Sequence, residues 1–556
     1  MAKLFRAFFF KSLFFFWYRF LFRQLRNLIR FHRTISNSFS GATPTQFNKY
    51  QKFPSLIHRS DLNDHMLIFD VENALLKSSS LFPYFMLVAF EAGGLVRAIV
   101  LVLLYPFVCV VGKEMGLKIM VMACFFGIKA SSFRVGRSVL PKFFLEDVGA
   151  EMFEALKKGG KTVGVTNLPH VMVESFLREY LDIDFVVGRE MKVFCGYYVG
   201  LMEDTKTMHA LELVKEGKGC SDMIGITRFR NIRDHDLFFS HCKEVYVVSE
   251  ADKRSWQKLA RERYPRGLIF HDGRLALRPT PAESIAMLMW FPYAIILSVI
   301  RISLALSLPF TISTPLLVFS GIRLTTTTSA PTRPHNIKQN NKGIIGNLYV
   351  CNHRTLLDPL YISFSLQKNL TAVTYSLSRM SEILAPIKTV RLTRNRDEDA
   401  KMMKNLLGQG DLVVCPEGTT CREPYLLRFS PLFSEMCDEI VPVAVDSHVS
   451  MFHGTTAGGL KCLDPFFFLM NPEPVYTVQL LNHVFPSQLL SSHTSNTSVL
   501  DHQTSRFHVA NRVQTQIGTA LGFECTKLTR KDKYLMLAGN EGIVNSNTKC
   551  KSKSKS

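Results

Sequence analysis

Hydrophobic and polar positions follow several different periods along this chain, and each period implies a different kind of element. Residues 1–60 open with Phe8-Phe9-Phe10 and Phe14-Phe15-Phe16-Trp17-Tyr18, then place Arg23, Arg26, Arg30 and Arg33 three or four residues apart. That spacing gathers the arginines on one helix face and the apolar residues on the other, the pattern of an interfacial or amphipathic targeting segment. Lys11 and Arg19 interrupt the apolar run and no small-residue cleavage site follows, which argues against a secretory signal. Ala98–Val111 is uninterrupted but short, with Pro106 inside it, and Ile119–Ile128 is shorter still. Both are expected as buried or interfacial helices rather than spans. The run Ile285–Ile322 is longer and carries one charge, Arg301, with Pro292, Pro309 and Pro315 as kinks. As a helix it would extend about 57 Å against a hydrocarbon core of about 30 Å, which predicts a two-helix hairpin or re-entrant pair turning near Arg301.

The remaining periodicity is that of strands. Met66–Val71, Thr162–Thr166, Glu244–Val248, Leu348–Val350, Asp411–Cys415 and Ile440–Val445 are short β-rich runs, many separated by helical patterns, as in the buried strands of α/β domains with mixed sheets. The polar stretch from Thr325 through Pro334 towards Gly346 reads as an exposed linker and the main boundary. The expected organisation is a basic aromatic segment (1–60), an α/β domain with an apolar helical insertion (61–280), a membrane hairpin (284–324), the linker (325–345), a second α/β domain (346–530) and a disordered basic tail (531–556).

Composition narrows the class. The 556 residues carry 67 Lys+Arg against 46 Asp+Glu, a net charge of +21, yet 47% are hydrophobic and 44 are Phe. A disordered basic chain would lack the aromatics, and a collagen-like one would have far more than 32 Gly and 24 Pro. Charge combined with apolarity fits an anionic membrane surface better than nucleic acid. Residues 1–60 contain eleven basic residues and no acid, Asp61 being the first. That pattern leaves the endoplasmic reticulum and the mitochondrion open as destinations. The twelve cysteines include no C-x-x-C pair, which excludes the common zinc and thioredoxin-like spacings and fits reduced, buried thiols.

The informative stretch runs from Gly346 to Pro359, where a strand ends and His353 is followed five positions later by Asp358 on a turn into a helix. An acid there can fold back onto the imidazole Nδ1–H and leave Nε2 as a base, with a substrate hydroxyl in the place of a serine. The spacing alone decides little, since His65 and Asp70 repeat it. Its company matters more. Arg391-Leu392-Thr393-Arg394-Asn395-Arg396 is a cationic cluster able to hold a phosphate. Pro416-Glu417-Gly418-Thr419-Thr420-Cys421-Arg422 follows a buried strand and exposes backbone N–H groups and hydroxyls beside a guanidinium, which suits an anion. Ile440–Asp446 is an apolar strand whose Pro442 marks it as an edge.

These four blocks resemble the glycerolipid acyltransferase superfamily. The wording of Cys351–Pro359, Pro416–Phe429 and Ser78–Gly94 is similar to the land-plant glycerol-3-phosphate acyltransferases, over about residues 60–530. The resemblance implies that His353 is the general base towards glycerol-3-phosphate and that Asp358 orients it. It implies too that Arg391, Arg394, Glu417, Gly418 and Arg422 position the substrate and that Pro442 walls the acyl site. The donor would be acyl-CoA or acyl-carrier protein and the product lysophosphatidic acid, without metal or organic cofactor and without nucleic acid as a partner. The protein would be a multi-pass membrane protein of the endoplasmic reticulum, or alternatively of the mitochondrion, with its active site on the cytosolic face. Asn395 stands where many relatives carry an acid.

In the same family the N-terminal half resembles a Rossmann-like, haloacid-dehalogenase-type phosphatase. That chemistry needs D-x-D-G-T after a strand, but here the run is Asp70-Val71-Glu72-Asn73-Ala74. Thr166 supplies the expected hydroxyl and Lys215 or Lys218 the lysine. Gly225, however, is followed by Ile226, Thr227 and Arg228 rather than by acids, and an Arg opposes Mg²⁺ binding. A degenerate, structural domain is expected. The alternatives are a bifunctional enzyme releasing monoacylglycerol and a non-catalytic membrane scaffold.

Overall fold

The computed structural model describes residues 50–59, 61–203, 222–228, 242–328, 346–375, 382, 385–487 and 501–538. The chain divides into two compact units, the first reaching to Gly273 and resuming over Arg278–Met289, the second made of Arg274–Leu277 and the chain from Trp290 onward, so that one division falls inside the helix Pro281–Ser307.

The first unit is built on a six-stranded sheet. Its strands are β1 (Tyr50–Lys52), β2 (His65–Asp70), β3 (Lys161–Pro169), β4 (Phe185–Arg189), β7 (Asp222–Thr227) and β8 (Glu244–Val247). Between β4 and β7 the chain forms a separate antiparallel pair, β5 (Met191–Phe194) with β6 (Tyr197–Met202). The sheet order is β1-β8-β7-β2-β3-β4 and every pair is parallel. A wholly parallel sheet covered on both faces explains why β2 is an unbroken apolar run, with Leu67, Ile68 and Phe69 completely buried. Asp70, Thr166 and Thr227 lie at or near the carboxyl ends of the central strands, where open α/β sheets place their ligands.

Ala98–Val111 is not a separate short helix, as expected, but falls almost entirely within the 29-residue helix Phe82–Val110. That element is long and apolar enough to cross a membrane, as is Pro281–Ser307. Gly94, at φ 76° and ψ −175°, breaks it into two segments. The first segment is buried from Phe82 to Phe90, whereas the second exposes Val96, Leu103 and Phe107. The second segment reaches only about 24 Å, shorter than the hydrocarbon core. It packs against the helix Lys113–Phe125, which exposes Met115 and Met122.

The second unit carries a seven-stranded mixed sheet. Its strands are β9 (Arg323–Thr328), β10 (Leu348–Cys351), β11 (Thr371–Thr374), β12 (Lys388–Arg391), β13 (Leu412–Val414), β15 (Ile440–His448) and β16 (Val475–Leu480). Its order is β12-β11-β13-β10-β15-β16-β9, and only β15 and β16 run antiparallel. A two-stranded parallel ladder joins β14 (Tyr425–Leu426) to β17 (Glu524–Cys525). Apolar clusters cover both faces of the main sheet, one around Leu348, Val350 and Phe433 and the other around Tyr349, Cys351 and Tyr361.

Several sequence expectations change here. Residues 50–57, expected in the basic segment 1–60, supply β1 and the buried Phe53 and Leu56 of the first unit, and the expected disordered tail 531–556 begins inside the helix Arg530–Ala538. Thr325–Thr328 is not linker but part of β9, paired along its length with β16; β-branched threonines suit an exposed edge strand that hydropathy does not reveal. The strand containing Pro442 is central rather than an edge. Pro442 lies opposite Val350 and precedes the first residue of the ladder with β16, so its missing N–H falls outside that ladder.

The apolar hairpin turns at Leu308–Pro309, between the helices Pro281–Ser307 and Phe310–Phe319, and not at Arg301. Arg301 is fully buried inside the first of these helices. Its guanidinium donates to Leu469 O (2.7 Å), Asn471 O (2.6 Å), Pro472 O (3.0 Å), Ser320 O (2.8 Å) and Ser320 Oγ (3.0 Å). A single charge in an apolar run is thus satisfied mainly by carbonyl groups, which anchor this helix to the second unit. The opposite face exposes Ile296, Val299 and Ile300.

Candidate active site

β10 ends at Cys351, and the next residue, Asn352, ties the strand ends together. Its side chain donates to Val445 O and accepts from Val445 N, both at 2.8 Å. His353 follows, and after a short turn Asp358 opens the helix Asp358–Leu366 with Pro359 at its first turn. The two side chains meet: His353 Nδ1 donates to Asp358 Oδ2 at 2.8 Å. The Asp358 carboxylate is completely buried. It also accepts from Arg354 N (2.6 Å), Thr355 N (3.0 Å), Thr355 Oγ1 (3.2 Å) and the Tyr476 hydroxyl. These donors fix the direction of the carboxylate, so the imidazole tautomer is fixed and Nε2 is left as the basic nitrogen.

The backbone of His353 is held on both sides. Its N–H donates to Glu417 Oε1 (2.8 Å), and its carbonyl accepts from Cys421 N (2.6 Å). Burial opposes the imidazolium, but the neighbouring Cys415 sulfur and Asp358 carboxylate outweigh it and hold the His353 pKa well above its ordinary value. Burial pushes the Glu417 carboxyl up to about 7. Cys415 Sγ lies 3.4 Å from Cys351 Sγ, and His353, Asp358 and Cys415 gather within 4.8 Å of one another. The Asp358 oxygens are already engaged by protein donors, so this cluster offers a metal ion no open carboxylate.

His353 lines a cavity of about 330 Å³. One part of the wall is apolar, with Leu356, Leu357, Val373, Leu392 and Phe433, together with Ile302 and Ala305 from the helix Pro281–Ser307. Another part is polar, with Gly418, Thr419, Thr420, Lys461 and Tyr534. Gly418 adopts φ +67°, a left-handed conformation that gives glycine its place in the turn.

The other residues read from the sequence fall elsewhere. Glu417 is not on the wall; its second oxygen accepts from Leu427 N (3.0 Å), so its carboxylate ties two backbone segments together instead of facing a substrate. Arg391 lies on the edge strand β12, where it pairs with Glu382 at 2.7 Å. Arg394 is exposed at φ +74°. Arg422 donates to Thr455 O (3.2 Å), and Pro442 is buried in β15. None of these five lines the cavity. Asn395 has a local role: it caps the helix Arg396–Leu407, accepting from Asp397 N at 3.2 Å. Sequence reasoning missed Tyr476, Lys461, Arg530 and Tyr534, which no motif marks. Cys415 alone carried a signal, being adjacent to Pro416-Glu417-Gly418.

The corresponding place in the first unit is arranged differently. Asp70 is fully buried, and its carboxylate is occupied by Asn73, through N (2.9 Å) and Nδ2 (2.8 Å). Thr227 Oγ1 lies 3.5 Å from the same group. Glu72 Oε1 accepts from Thr166 Oγ1 (2.5 Å), Asn167 N (2.8 Å) and Leu168 N (3.0 Å). Burial, with Asp70 nearby, raises the Glu72 carboxyl to about 8. Lys215, the lysine expected here, lies outside the described residues, as does Lys218. A different lysine, Lys253, is buried beside Glu72 and donates to Glu72 O (3.2 Å) and Leu76 O (2.8 Å). Arg228 pairs with Glu250 at 2.5 Å.

Comparison with known proteins gives both halves a family. Residues 66–248 match the HAD-like domain of RAM2-like glycerol-3-phosphate acyltransferases, and residues 332–446 match the acyltransferase family. The chain is 58% identical to probable glycerol-3-phosphate acyltransferase 2 of Arabidopsis thaliana, over 89% of this chain and 93% of that relative. The chain belongs to the glycerol-3-phosphate acyltransferase family. It is also 55% identical to probable glycerol-3-phosphate acyltransferase 3 of the same plant, over 97% of this chain and 99% of that relative. Glycerol-3-phosphate acyltransferase 1, again from Arabidopsis thaliana, is 48% identical over 85% of this chain and 81% of its own length. The expected α/β fold class, with a haloacid-dehalogenase-like N-terminal domain and a mixed-sheet acyltransferase domain, therefore holds. Within this family the altered surroundings of Asp70 stand beside a fully assembled His353–Asp358 pair.

Proposed function

We propose that the chain is a membrane-bound glycerol-3-phosphate O-acyltransferase that releases lysophosphatidic acid, with acyl-CoA as donor. The observation that carries this reading is the His353 Nδ1–Asp358 Oδ2 contact of 2.8 Å on the wall of a cavity with one apolar and one polar part. His353 Nε2 takes the proton from a hydroxyl of glycerol-3-phosphate, and the oxygen attacks the thioester carbonyl. The tetrahedral intermediate collapses, His353 returns the proton to the departing thiol, and Asp358 stabilises the imidazolium in between. A positioned base of this kind contributes about 10²–10⁴-fold, and alignment of two substrates contributes more. The acyl chain lies along the apolar wall, to which the helix Pro281–Ser307 contributes Ile302 and Ala305.

The first unit does not act as a phosphatase in this reading, because Asn73 occupies Asp70 and burial raises the Glu72 pKa. The product therefore keeps its phosphate. The apolar helices, with the aromatic basic segment 1–60, hold the protein on the endoplasmic reticulum with its active site towards the cytosol. The test is an acceptor and donor survey on membranes containing the full chain. Lysophosphatidic acid should form from glycerol-3-phosphate and acyl-CoA, faster than from acyl-carrier protein. Preference for acyl-carrier protein would overturn the donor assignment, and acylation of glycerol alone would overturn the acceptor. Fractionation of a tagged full chain with mitochondrial membranes would overturn the location.

A further inference from the structure

Glycerol-3-phosphate brings a doubly charged phosphate to the cavity, and a phosphate monoester needs basic partners. The arginines marked by sequence, Arg391, Arg394 and Arg422, do not line that cavity. Apart from His353, the basic side chains on its wall among the described residues are Lys461 and Arg530. They come from separate parts of the second unit: Lys461 from a short turn after β15, and Arg530 from the start of the helix Arg530–Ala538. They meet at Tyr534, which is 5% exposed. Lys461 Nζ donates to the Tyr534 hydroxyl at 2.9 Å, and the Arg530 guanidinium lies 5.3 Å from the centre of the Tyr534 ring.

The turn that carries Gly418 reaches the same place. Thr419 and Thr420 line the cavity, Thr420 Oγ1 lies 2.5 Å from Thr455 Oγ1, and Lys533 donates to Thr420 O. The acid on the wall, Asp464, pairs with Arg274 at 2.6 Å and also feels the charge of Lys461, so it offsets that cation only in part.

We propose that Lys461 and Arg530, oriented by Tyr534 and completed by the Thr419–Thr420 turn, form the phosphate-holding subsite of this cavity. The ligand class is a phosphate monoester dianion, and the acceptor's phosphate is the one it holds. The inference rests on the acyltransferase reading above. The subsite is assembled by tertiary folding from segments some seventy residues apart, well outside the motif blocks. It sets acceptor specificity, because glycerol without a phosphate forgoes the charge-assisted bonds to both cations.

The test compares the full chain in membranes with Lys461→Met, Arg530→Met and the milder Tyr534→Phe. Thermal unfolding confirms that each variant folds. Loss of one charge-assisted partner should raise the KM for glycerol-3-phosphate about ten- to a hundred-fold, with the KM for acyl-CoA within about two-fold. Tyr534→Phe should raise it about three- to ten-fold. The preference for glycerol-3-phosphate over glycerol should shrink in step.

A rise confined to the acyl-CoA KM, absent with an acyl-pantetheine donor that lacks those phosphates, would assign the cations to the donor and overturn the proposal. Unchanged constants for both substrates would overturn it as well. If the wild-type chain failed to acylate glycerol-3-phosphate, the functional reading would fall by itself. Equilibrium binding of radiolabelled glycerol-3-phosphate would still decide the subsite: lower affinity in Arg530→Met supports it, and equal affinity overturns it.

Discussion

Asp70 and Asp358 occupy comparable places in the two units. Each is fully buried and stands at the beginning of a helical turn, Asp70 as the last residue of β2 and Asp358 seven residues beyond β10. Their neighbours differ. Asp358 takes hydrogen bonds from backbone groups, Thr355 and Tyr476 while giving its remaining direction to an imidazole whose other nitrogen is available. Asp70 is held by Asn73, beside a glutamate whose pKa burial raises and near a lysine committed to two carbonyls. In the proposed reading, a buried carboxylate orients a base in one unit and caps a turn in the other. The distinction lies in whether a proton-transfer group with an open valence stands next to it.

The comparison can be broken most severely at Asp358. Asp358→Asn should lower kcat about 10²–10⁴-fold, since the tautomer and the imidazolium both lose support. The pH profile carries the sign. His353 must be neutral to accept a proton, and its pKa is raised in the folded protein, so activity should climb with pH through a midpoint above its ordinary value of 6.5. In Asp358→Asn that limb should move to lower pH; a limb that stayed in place would assign it to another group, Cys415 and Glu417 being the candidates that touch His353.

A smaller effect is expected from Tyr476→Phe. It removes one of several donors to Asp358, so kcat should fall about three- to ten-fold with little change in either KM. A loss as large as that of Asp358→Asn would place the tyrosine in the chemistry itself.

The smallest effect belongs to the first unit. Glu72→Gln keeps the acceptor used by Thr166, Asn167 and Leu168 and should leave acyl transfer within about two-fold and stability at pH 5 within about 0.5 kcal/mol. Glu72 ionises near 4.5 when unfolded and near 8 when folded. Its stabilising share is present below the lower value and is lost as pH rises through the upper one. The variant should therefore lose less stability than the wild type between pH 5 and pH 8, as read from denaturant midpoints. Parallel curves would mean that Glu72 is ionised in the folded protein.

The His353–Asp358 pair was legible because it and Gly418 depend on short-range chain geometry: a strand end, a turn into a helix and a left-handed glycine. The altered D-x-D-G-T motif was equally readable, because substitutions at Glu72, Asn73 and Ala74 are local facts. Tyr476, Lys461 and Arg530 were not legible. They arrive through an antiparallel neighbour strand, a short turn and a late helix, and nothing in their own neighbourhoods distinguishes them from surface or core residues. The arginines of the second block misled for the complementary reason. A cationic cluster in sequence became an edge strand and a helix start, facing an acid and solvent. β9 and the central position of β15 were hidden because sheet order is decided by pairing partners, and a run of threonines or a single proline reports only local preference.

The central claim is that acyl transfer belongs to the His353–Asp358 site and that the Asp70 site is chemically silent. The most direct measurement is product separation after incubating wild type, His353→Ala and Asp70→Asn with glycerol-3-phosphate and acyl-CoA. Lysophosphatidic acid from the wild type and from Asp70→Asn, with none above background from His353→Ala, is the expected result. Monoacylglycerol from the wild type that disappears in Asp70→Asn, or undiminished lysophosphatidic acid from His353→Ala, would contradict the account.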